Sequence, residues 1–256
     1  MTTYKHLKIK KTDGVARITL ARPKHNVLDV AMMTELNAEL DLQRLDAELK
    51  CTVILGDGPS WCAGVEVADH KPEKVSEMIA VFNGIFERID KMEVPVIAGV
   101  HGACLGGGME LAIACDMIVA AKSALLGQPE IKLGFFPPYA AIRLPQLIGP
   151  AKAVEVCTTG KRYGAEEAMQ MGFVSHVADD DRFTDTLDQL IGEIRTASPL
   201  IVRLNKRAVK KHLGLNFQEA LNGVSDLFLN VLMKTEDTLE GIRSFEEKRR
   251  PTWKNK

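Results

Sequence analysis

Two glutamates in apolar surroundings are the residues of this chain best suited to chemistry. Glu110 lies inside the most apolar stretch of the sequence, Met109–Ile113, and Glu130 directly follows Pro129. A buried carboxylate is costly unless it is paired, hydrogen-bonded or protonated, so such a group is a candidate for acid–base work. Two carboxyl groups held on neighbouring rigid elements can divide the roles of acid and base. Spacing alone leaves a surface or helix-capping glutamate open as the alternative for each.

Glycine-rich turns lie close to the first glutamate. Residues 106–108 are three glycines between a buried strand and a helix. Glycine lets backbone N–H groups approach a ligand closely, and a helix start adds free N–H groups and a positive dipole end. This combination suits a developing negative charge on oxygen. The turn at residues 61–66 could offer a second N–H to the same oxygen, although an ordinary tight turn explains either segment alone.

The hydrophobic pattern predicts an α/β core followed by a helical tail. A hairpin is expected over 6–20, with its turn at Asp13-Gly14. A helix is expected over 30–49, because Met32, Leu36, Leu40 and Leu45 recur at roughly helical spacing. The pattern further predicts strands over 51–55, 94–100 and 116–121, a helix near 71–91, and mainly helices from about 139. The segment Ala197-Ser198-Pro199 interrupts the pattern. We therefore expect a core over residues 1–198 and a helical region over 199–256.

Composition excludes several classes of protein. The chain has 256 residues, 46% of them hydrophobic, which is typical of a globular protein and not of a disordered one. Its 33 Lys+Arg balance 34 Asp+Glu, so nothing predicts binding to nucleic acid or a membrane. The histidines do not cluster at metal-ligand spacing, and no phosphate-binding or dinucleotide motif occurs. An odd number of cysteines and no apolar leader favour a reduced, cytoplasmic protein.

Three motifs together resemble the crotonase (enoyl-CoA hydratase/isomerase) superfamily. Residues 62–66 (CAGVE) are similar to its C/A-A-G-A-D segment, residues 102–112 (GACLGGGMELA) to G-x-A-x-G-G-G-x-E-L-A, and residues 128–134 (QPEIKLG) to Q-P-E-I-x-L-G. Further likeness runs from Arg22-Pro23 to residues 245–249. The order and spacing of these motifs make a chance agreement very improbable.

The resemblance implies a spiral of β-β-α repeats with a C-terminal helical region that serves in trimer formation and covers the active site. It implies an acyl-CoA thioester as substrate and assembly as a homotrimer or homohexamer. The thioester oxygen would accept N–H bonds from Val65 and Gly107, which stabilises an enolate-like transition state. Glu110 would hold and deprotonate the water, and Glu130 would deliver a proton to carbon. The presence of both glutamates favours hydration within the superfamily.

The resemblance also places the coenzyme A part of the substrate. Lys24, Val27 and Ala63 lie where relatives bind coenzyme A. Since coenzyme A belongs to the substrate, no further cofactor and no metal is expected.

Two departures from the superfamily pattern narrow the expected substrate. After Gly134 this chain reads FFPPYAA where relatives commonly read x-x-P-G-A-G-G, so Pro138 replaces a glycine whose N–H often helps to place the water. Phe135, Phe136, Pro138 and Tyr139 are therefore expected to line the substrate pocket, with core packing as the alternative for the aromatic rings.

Together with N-V-L-D at residues 26–29, this loop resembles the dienoyl-CoA hydratases of anaerobic aromatic degradation. That likeness implies 1,4-addition of water to cyclohexa-1,5-diene-1-carbonyl-CoA, for which the acid must reach a different carbon than in simple hydration. An ordinary 2-enoyl-CoA hydratase or an isomerase is the alternative within the same chemistry. A non-catalytic RNA-binding relative is the alternative from another class, disfavoured by the balanced charge and by both glutamates.

Overall fold

Two β-sheets form the framework of the protein. A computed structural model describes residues 3–256, so the first two residues of the predicted core lie outside the described residues. The strands are β1 (Leu7–Thr12), β2 (Val15–Leu20), β3 (Cys51–Gly56), β4 (Val96–Val100), β5 (Ala103–Leu105), β6 (Met117–Ala121), β7 (Leu125–Gly127), β8 (Arg162–Gly164) and β9 (His176–Ala178). Six of them form one sheet in the order β1-β2-β3-β4-β6-β9, and three form a second in the order β5-β7-β8.

The chain winds between these sheets as a spiral. β1 and β2 form the predicted antiparallel hairpin, and the following pairs of the large sheet are parallel. β4 and β6 each lead directly into a short strand of the small sheet, β5 and β7, which also pair in parallel. These two turns of the spiral each add one strand to each sheet, and the arrangement as a whole is the predicted crotonase-like α/β fold.

Ten α-helices surround and extend the sheets. They are α1 (Val30–Arg44), α2 (Val75–Lys91), α3 (Gly107–Ala114), α4 (Pro138–Ile148), α5 (Pro150–Thr159), α6 (Ala165–Met171), α7 (Phe183–Arg195), α8 (Pro199–Lys210), α9 (Phe217–Asp226) and α10 (Glu236–Glu246) in the described part of the chain. None of these helices has the length and apolar character required to cross a membrane.

Most predicted elements have the expected type, and their ends differ. Helix α1 starts where Asp29 accepts a hydrogen bond from Met32 N, as an N-cap does. It ends at Arg44, so the prediction that it extends to residue 49 was wrong, and Leu45 is 84% exposed. Strands β5, β7, β8 and β9 were not predicted, because three residues give no readable alternation.

The helix that carries Glu110 is the most deeply buried of the fold. Every residue of α3 is buried, and the helix lies within the main hydrophobic core. A helix that is apolar on all sides is typical of the interior of a large domain. Glu110 is therefore held by a rigid element, with 2% of its surface exposed.

The tail is attached to the core at its first helix. Ser198 caps α8, and Lys206 Nζ binds Asp116 Oδ2 at 2.6 Å and the carbonyl of Val94 at 2.8 Å. Near the C-terminus, Trp253 Nε1 donates to Thr196 O at 2.7 Å. In contrast, no side chain of α9 is buried.

Candidate active site

The backbone N–H groups of Val65 and Gly107 lie near each other where two turns of the spiral meet. Gly107 is the first residue of α3, where N–H groups have no partner within the helix. A Cβ placed on Gly107 would lie 3.5 Å from Val65 N, so the two N–H groups are close neighbours. They form an arrangement suited to an oxygen that becomes negatively charged.

Glycine is required where the two turns approach each other. A Cβ on Gly107 would lie 2.4 Å from Val65 Cγ2, and one on Gly108 would lie 2.2 Å from the carbonyl oxygen of Cys62. Both distances are shorter than real contacts allow. The turns are joined by hydrogen bonds from Cys62 N to Ala103 O at 3.1 Å and from Leu105 N to Cys62 O at 3.0 Å. This close packing fixes the relative position of the two N–H donors.

Glu110 extends from α3 toward the N-terminus of α4. Its Oε1 accepts hydrogen bonds from Tyr139 N at 2.7 Å and from Ala140 N at 2.9 Å. Burial raises the pKa of Glu110 to about 7; the neighbouring Glu130 adds to the rise, and the two N–H groups oppose it. A carboxyl group with such a pKa exchanges protons readily near neutral pH.

Glu130 approaches the same place from the 3₁₀ turn at Pro129–Leu133. A Cβ placed on Gly106 would lie only 2.7 Å from Glu130 Oε1. Gly106 directly precedes Gly107, so this carboxyl oxygen lies beside the N-terminus of α3. Burial raises the pKa of Glu130 to about 7 as well. Two carboxyl groups of similar pKa at one site favour a state in which one is ionised and the other is protonated.

Sequence reasoning gave no role to Gln128, which contacts Glu130. Gln128 is fully buried, and in the amide orientation that satisfies its neighbours its nitrogen donates to both carboxyl oxygens of Glu130 at 3.1 Å. The same nitrogen lies 3.3 Å from Gly106 O. Gln128 thereby holds the carboxyl group beside the α3 N-terminus. The sequence offered one signal for this contact, an amide side chain two residues before the candidate acid.

A cavity of about 370 Å³ brings these groups together. Its walls contain both glutamates, Val65, Gly107 and His70, and are otherwise apolar or glycine. The apolar part comes mainly from Val67, Val75, Met78, Ile79, Phe82, Leu133, Phe135, Phe136 and Pro138. The site is therefore shaped for an apolar group next to a polar reacting centre.

The structure places three of the four predicted pocket residues in the wall of this cavity. Phe135, Phe136 and Pro138 line this cavity, whereas Tyr139 does not. The Tyr139 ring stacks on Phe86 with centroids 3.8 Å apart and borders a separate cavity of about 620 Å³. Its placement in the substrate pocket was wrong, because the start of α4 turns the ring away and directs its backbone N–H to Glu110 instead.

The residues predicted to bind coenzyme A lie along one edge of the site. Ala63 lines the cavity, and its N–H donates to His25 O at 3.0 Å. The loop that carries Lys24 and Val27 is held against this segment, since Leu28 N donates to Gly64 O at 2.8 Å. Lys24 is exposed.

The site has no set of metal ligands. No group of three or more His, Cys, Asp or Glu side chains is arranged to hold a metal ion within residues 3–256. The five cysteines are free, and burial raises the pKa of Cys62, the one nearest the Val65 turn, to about 12. The polar groups in the cavity wall include carboxyl, imidazole and backbone N–H groups.

Comparison with known proteins agrees with this geometry. The sequence profile described as enoyl-CoA hydratase/isomerase matches residues 10–256. A cyclohexa-1,5-dienecarbonyl-CoA hydratase from Thauera aromatica is 30% identical over 97% of this chain and 96% of its own length. A crotonyl-CoA hydratase from Syntrophomonas wolfei is 32% identical over 99% of both chains. The crystal structure of an enoyl-CoA hydratase from Bacillus anthracis superimposes with a TM-score of 0.94 at 31% identity, covering 98% of this chain and all of that one.

These relatives match the chain over nearly its whole length and are named as hydratases, which bears out the prediction of a hydro-lyase. The profile match includes both glutamates and both N–H turns. The chain belongs to the enoyl-CoA hydratase/isomerase family.

Proposed function

We propose that the protein adds water to a conjugated acyl-CoA thioester. The thioester oxygen accepts the N–H groups of Val65 and Gly107, Glu110 removes a proton from water, and Glu130 delivers a proton to carbon. The observation that carries this proposal is that all four groups line one cavity. The raised pKa values of both glutamates support it, because one carboxyl group must start ionised and the other protonated.

The finer proposal is 1,4-hydration of cyclohexa-1,5-diene-1-carbonyl-CoA to 6-hydroxycyclohex-1-ene-1-carbonyl-CoA, a step of anaerobic aromatic degradation. The apolar cavity and the aromatic loop after Glu130 suit a cyclic hydrocarbon group. The name of the Thauera aromatica relative also supports this substrate. The crotonyl-CoA hydratase of similar identity supports the runner-up, an ordinary 2-enoyl-CoA hydratase, and a family name that includes isomerases keeps that reaction as a further candidate.

Coenzyme A enters this proposal as part of the substrate, with no further cofactor. Ala63 and the neighbouring loop of Lys24 and Val27 provide the edge along which it would lie. We propose a homotrimer or homohexamer, and the helix α9 without buried side chains supports such an assembly. Its apolar residues Phe217 and Leu221 are 79% and 47% exposed, so a subunit contact would remove apolar surface from water.

The experiment is a spectrophotometric assay of crotonyl-CoA and cyclohexa-1,5-diene-1-carbonyl-CoA at equal concentration. We expect preference for the dienoyl substrate, a loss of at least about 100-fold in kcat on both substrates for Glu110→Gln, and the same loss on crotonyl-CoA for Glu130→Gln. Glu73→Gln, at an exposed position outside the cavity, is the matched control. Preference for crotonyl-CoA would remove the finer proposal and keep the coarser one. Near-normal turnover of crotonyl-CoA by either cavity variant, or RNA retention in a filter-binding assay without hydration, would remove both.

A further inference from the structure

We infer that His70 is a second proton donor of this active site and protonates C5 of a dienoyl-CoA. C5 lies two bonds from C1, the carbon bonded to the thioester carbonyl. This inference rests on the proposed 1,4-hydration. His70 lines the cavity together with Glu110 and Glu130. Among the described residues of the cavity wall, these three are the only ones whose side chains can give or take a proton.

The reaction requires protonation at an unusual position. When the water oxygen bonds to C2, Glu110 takes its proton, and the C1–C2 π pair moves into the thioester. The resulting dienolate has its oxygen at the N–H groups of Val65 and Gly107. A proton on C1 gives the 1,2-adduct, whereas a proton on C5 moves the remaining double bond to C1–C6 and gives the 1,4-adduct. The position of the acid therefore decides which product forms.

Glu130 is placed beside the thioester end of the cavity. Its Oε1 is adjacent to Gly106, next to the Gly107 N–H that would hold the thioester oxygen. This position favours C1, the carbon bonded to the thioester carbonyl. A donor on another wall of the cavity would allow C5 to be protonated while Glu130 stays beside C1.

His70 approaches the cavity from another wall and is held in place on two sides. It ends the 3₁₀ turn Val67–His70, and its Nδ1 lies 3.0 Å from the carbonyl oxygen of Glu66. Because a carbonyl only accepts, Nδ1 carries a hydrogen. The ring contacts Phe135 with centroids 5.0 Å apart, which joins the His70 turn to the loop after Glu130. Nε2 is then the nitrogen available to a ligand, and in the imidazolium form it carries the second proton.

The proton balance of the step is complete. Nε2–H breaks as the C5–H bond forms, so His70 becomes neutral while Glu110 holds the proton taken from water. The net change in the substrate is the addition of one water molecule. Release of the Glu110 proton and uptake of one proton by the half-buried imidazole from solvent restore the starting state. Glu130 remains available to protonate C1 of simple enoyl-CoA substrates.

The test compares His70→Phe with the wild type on both substrates in D₂O, with the deuterium position determined by NMR. Phenylalanine keeps a ring against Phe135 and cannot donate a proton. We expect dienoyl-CoA hydration to fall by at least about 100-fold, crotonyl-CoA hydration to fall by a much smaller factor, and the residual product to shift from deuterium on C5 to deuterium on C1.

His101→Phe is the matched control, because His101 also binds a backbone carbonyl, Gly58 O at 2.9 Å, and faces a phenylalanine, Phe183, away from this cavity. An equal loss on both substrates, or an unchanged deuterium position, would overturn the role of His70 while the proposed function stands. A wild type that does not hydrate the dienoyl substrate would overturn the finer function and this inference together.

Discussion

Replacement of Glu110 by glutamine should make the protein less sensitive to alkaline pH while it removes activity. Glu110 is 2% exposed, and burial raises its pKa from 4.5 to about 7. In the unfolded chain the carboxyl group regains its ordinary pKa. A glutamine Oε1 can still accept the N–H bonds of Tyr139 and Ala140, so the substitution removes the charge and keeps the anchoring contacts.

The sign and the size follow from the two pKa values. Between pH 4.5 and about 7 the folded state binds more protons than the unfolded state, so the free energy of unfolding falls as the pH rises through this range. At 1.36 kcal/mol per pH unit, the full difference is at most about 3.4 kcal/mol. Glu130 shares the site and can stay protonated, which reduces the loss, so we expect roughly 2 kcal/mol.

The assay is urea unfolding followed by circular dichroism at pH 5, 6, 7 and 8 and at one protein concentration, since assembly also stabilises the folded state. Glu110→Gln should gain stability relative to the wild type from pH 5 to pH 8, and Glu73→Gln, at an exposed site, should follow the wild type. Parallel curves for Glu110→Gln and the wild type would refute the claim that a buried, ionised carboxylate destabilises the folded protein.

Three further predictions concern the same cavity. With crotonyl-CoA, the kcat/KM of the wild type should be bell-shaped with a maximum near pH 7, because one glutamate must be ionised and the other protonated; a flat profile from pH 5 to 9 would contradict this. Gly107→Ala should lower kcat by about 100-fold or more, since its Cβ would lie 2.4 Å from Val65 Cγ2, and Gly192→Ala, with open space around it, should keep normal kinetics. Gln128→Leu removes a hydrogen-bond donor to Glu130, so the pKa of Glu130 should rise and the pH optimum of hydration should move upward. A lower kcat with an unchanged pH optimum would indicate that Gln128 has a purely structural role.

The sequence predicted the framework of this site better than its details. The three glycines and the apolar run after them indicated a buried turn and helix, and α3 has both properties. The tight turn at Asp13-Gly14 likewise predicted the hairpin of β1 and β2. Such features are readable because local backbone chemistry and hydrophobic period determine them.

Features that depend on distant segments were not readable from one sequence. The position of Tyr139 results from the start of α4 and from packing against Phe86 in α2, which is far away along the chain. The contact of His70 with Phe135 likewise joins segments 65 residues apart in the chain. Leu45 matched the helical spacing of α1, but the helix ends one residue earlier. In each case tertiary packing or a helix end decided the outcome.

The proline at position 138 supplies no N–H, and the two residues that follow it anchor Glu110 instead. Proline at the first turn of α4 removes a donor that has no helical partner anyway, and its fixed φ suits a helix start. The next two N–H groups both bind Oε1 of Glu110, so the positive end of α4 holds one carboxyl oxygen. Oε2 is then the oxygen left to accept a hydrogen from water. Since this anchoring uses backbone N–H groups only, Tyr139→Phe should retain hydration while its ring still packs on Phe86, and a strong loss of kcat would show that the phenolic oxygen takes part.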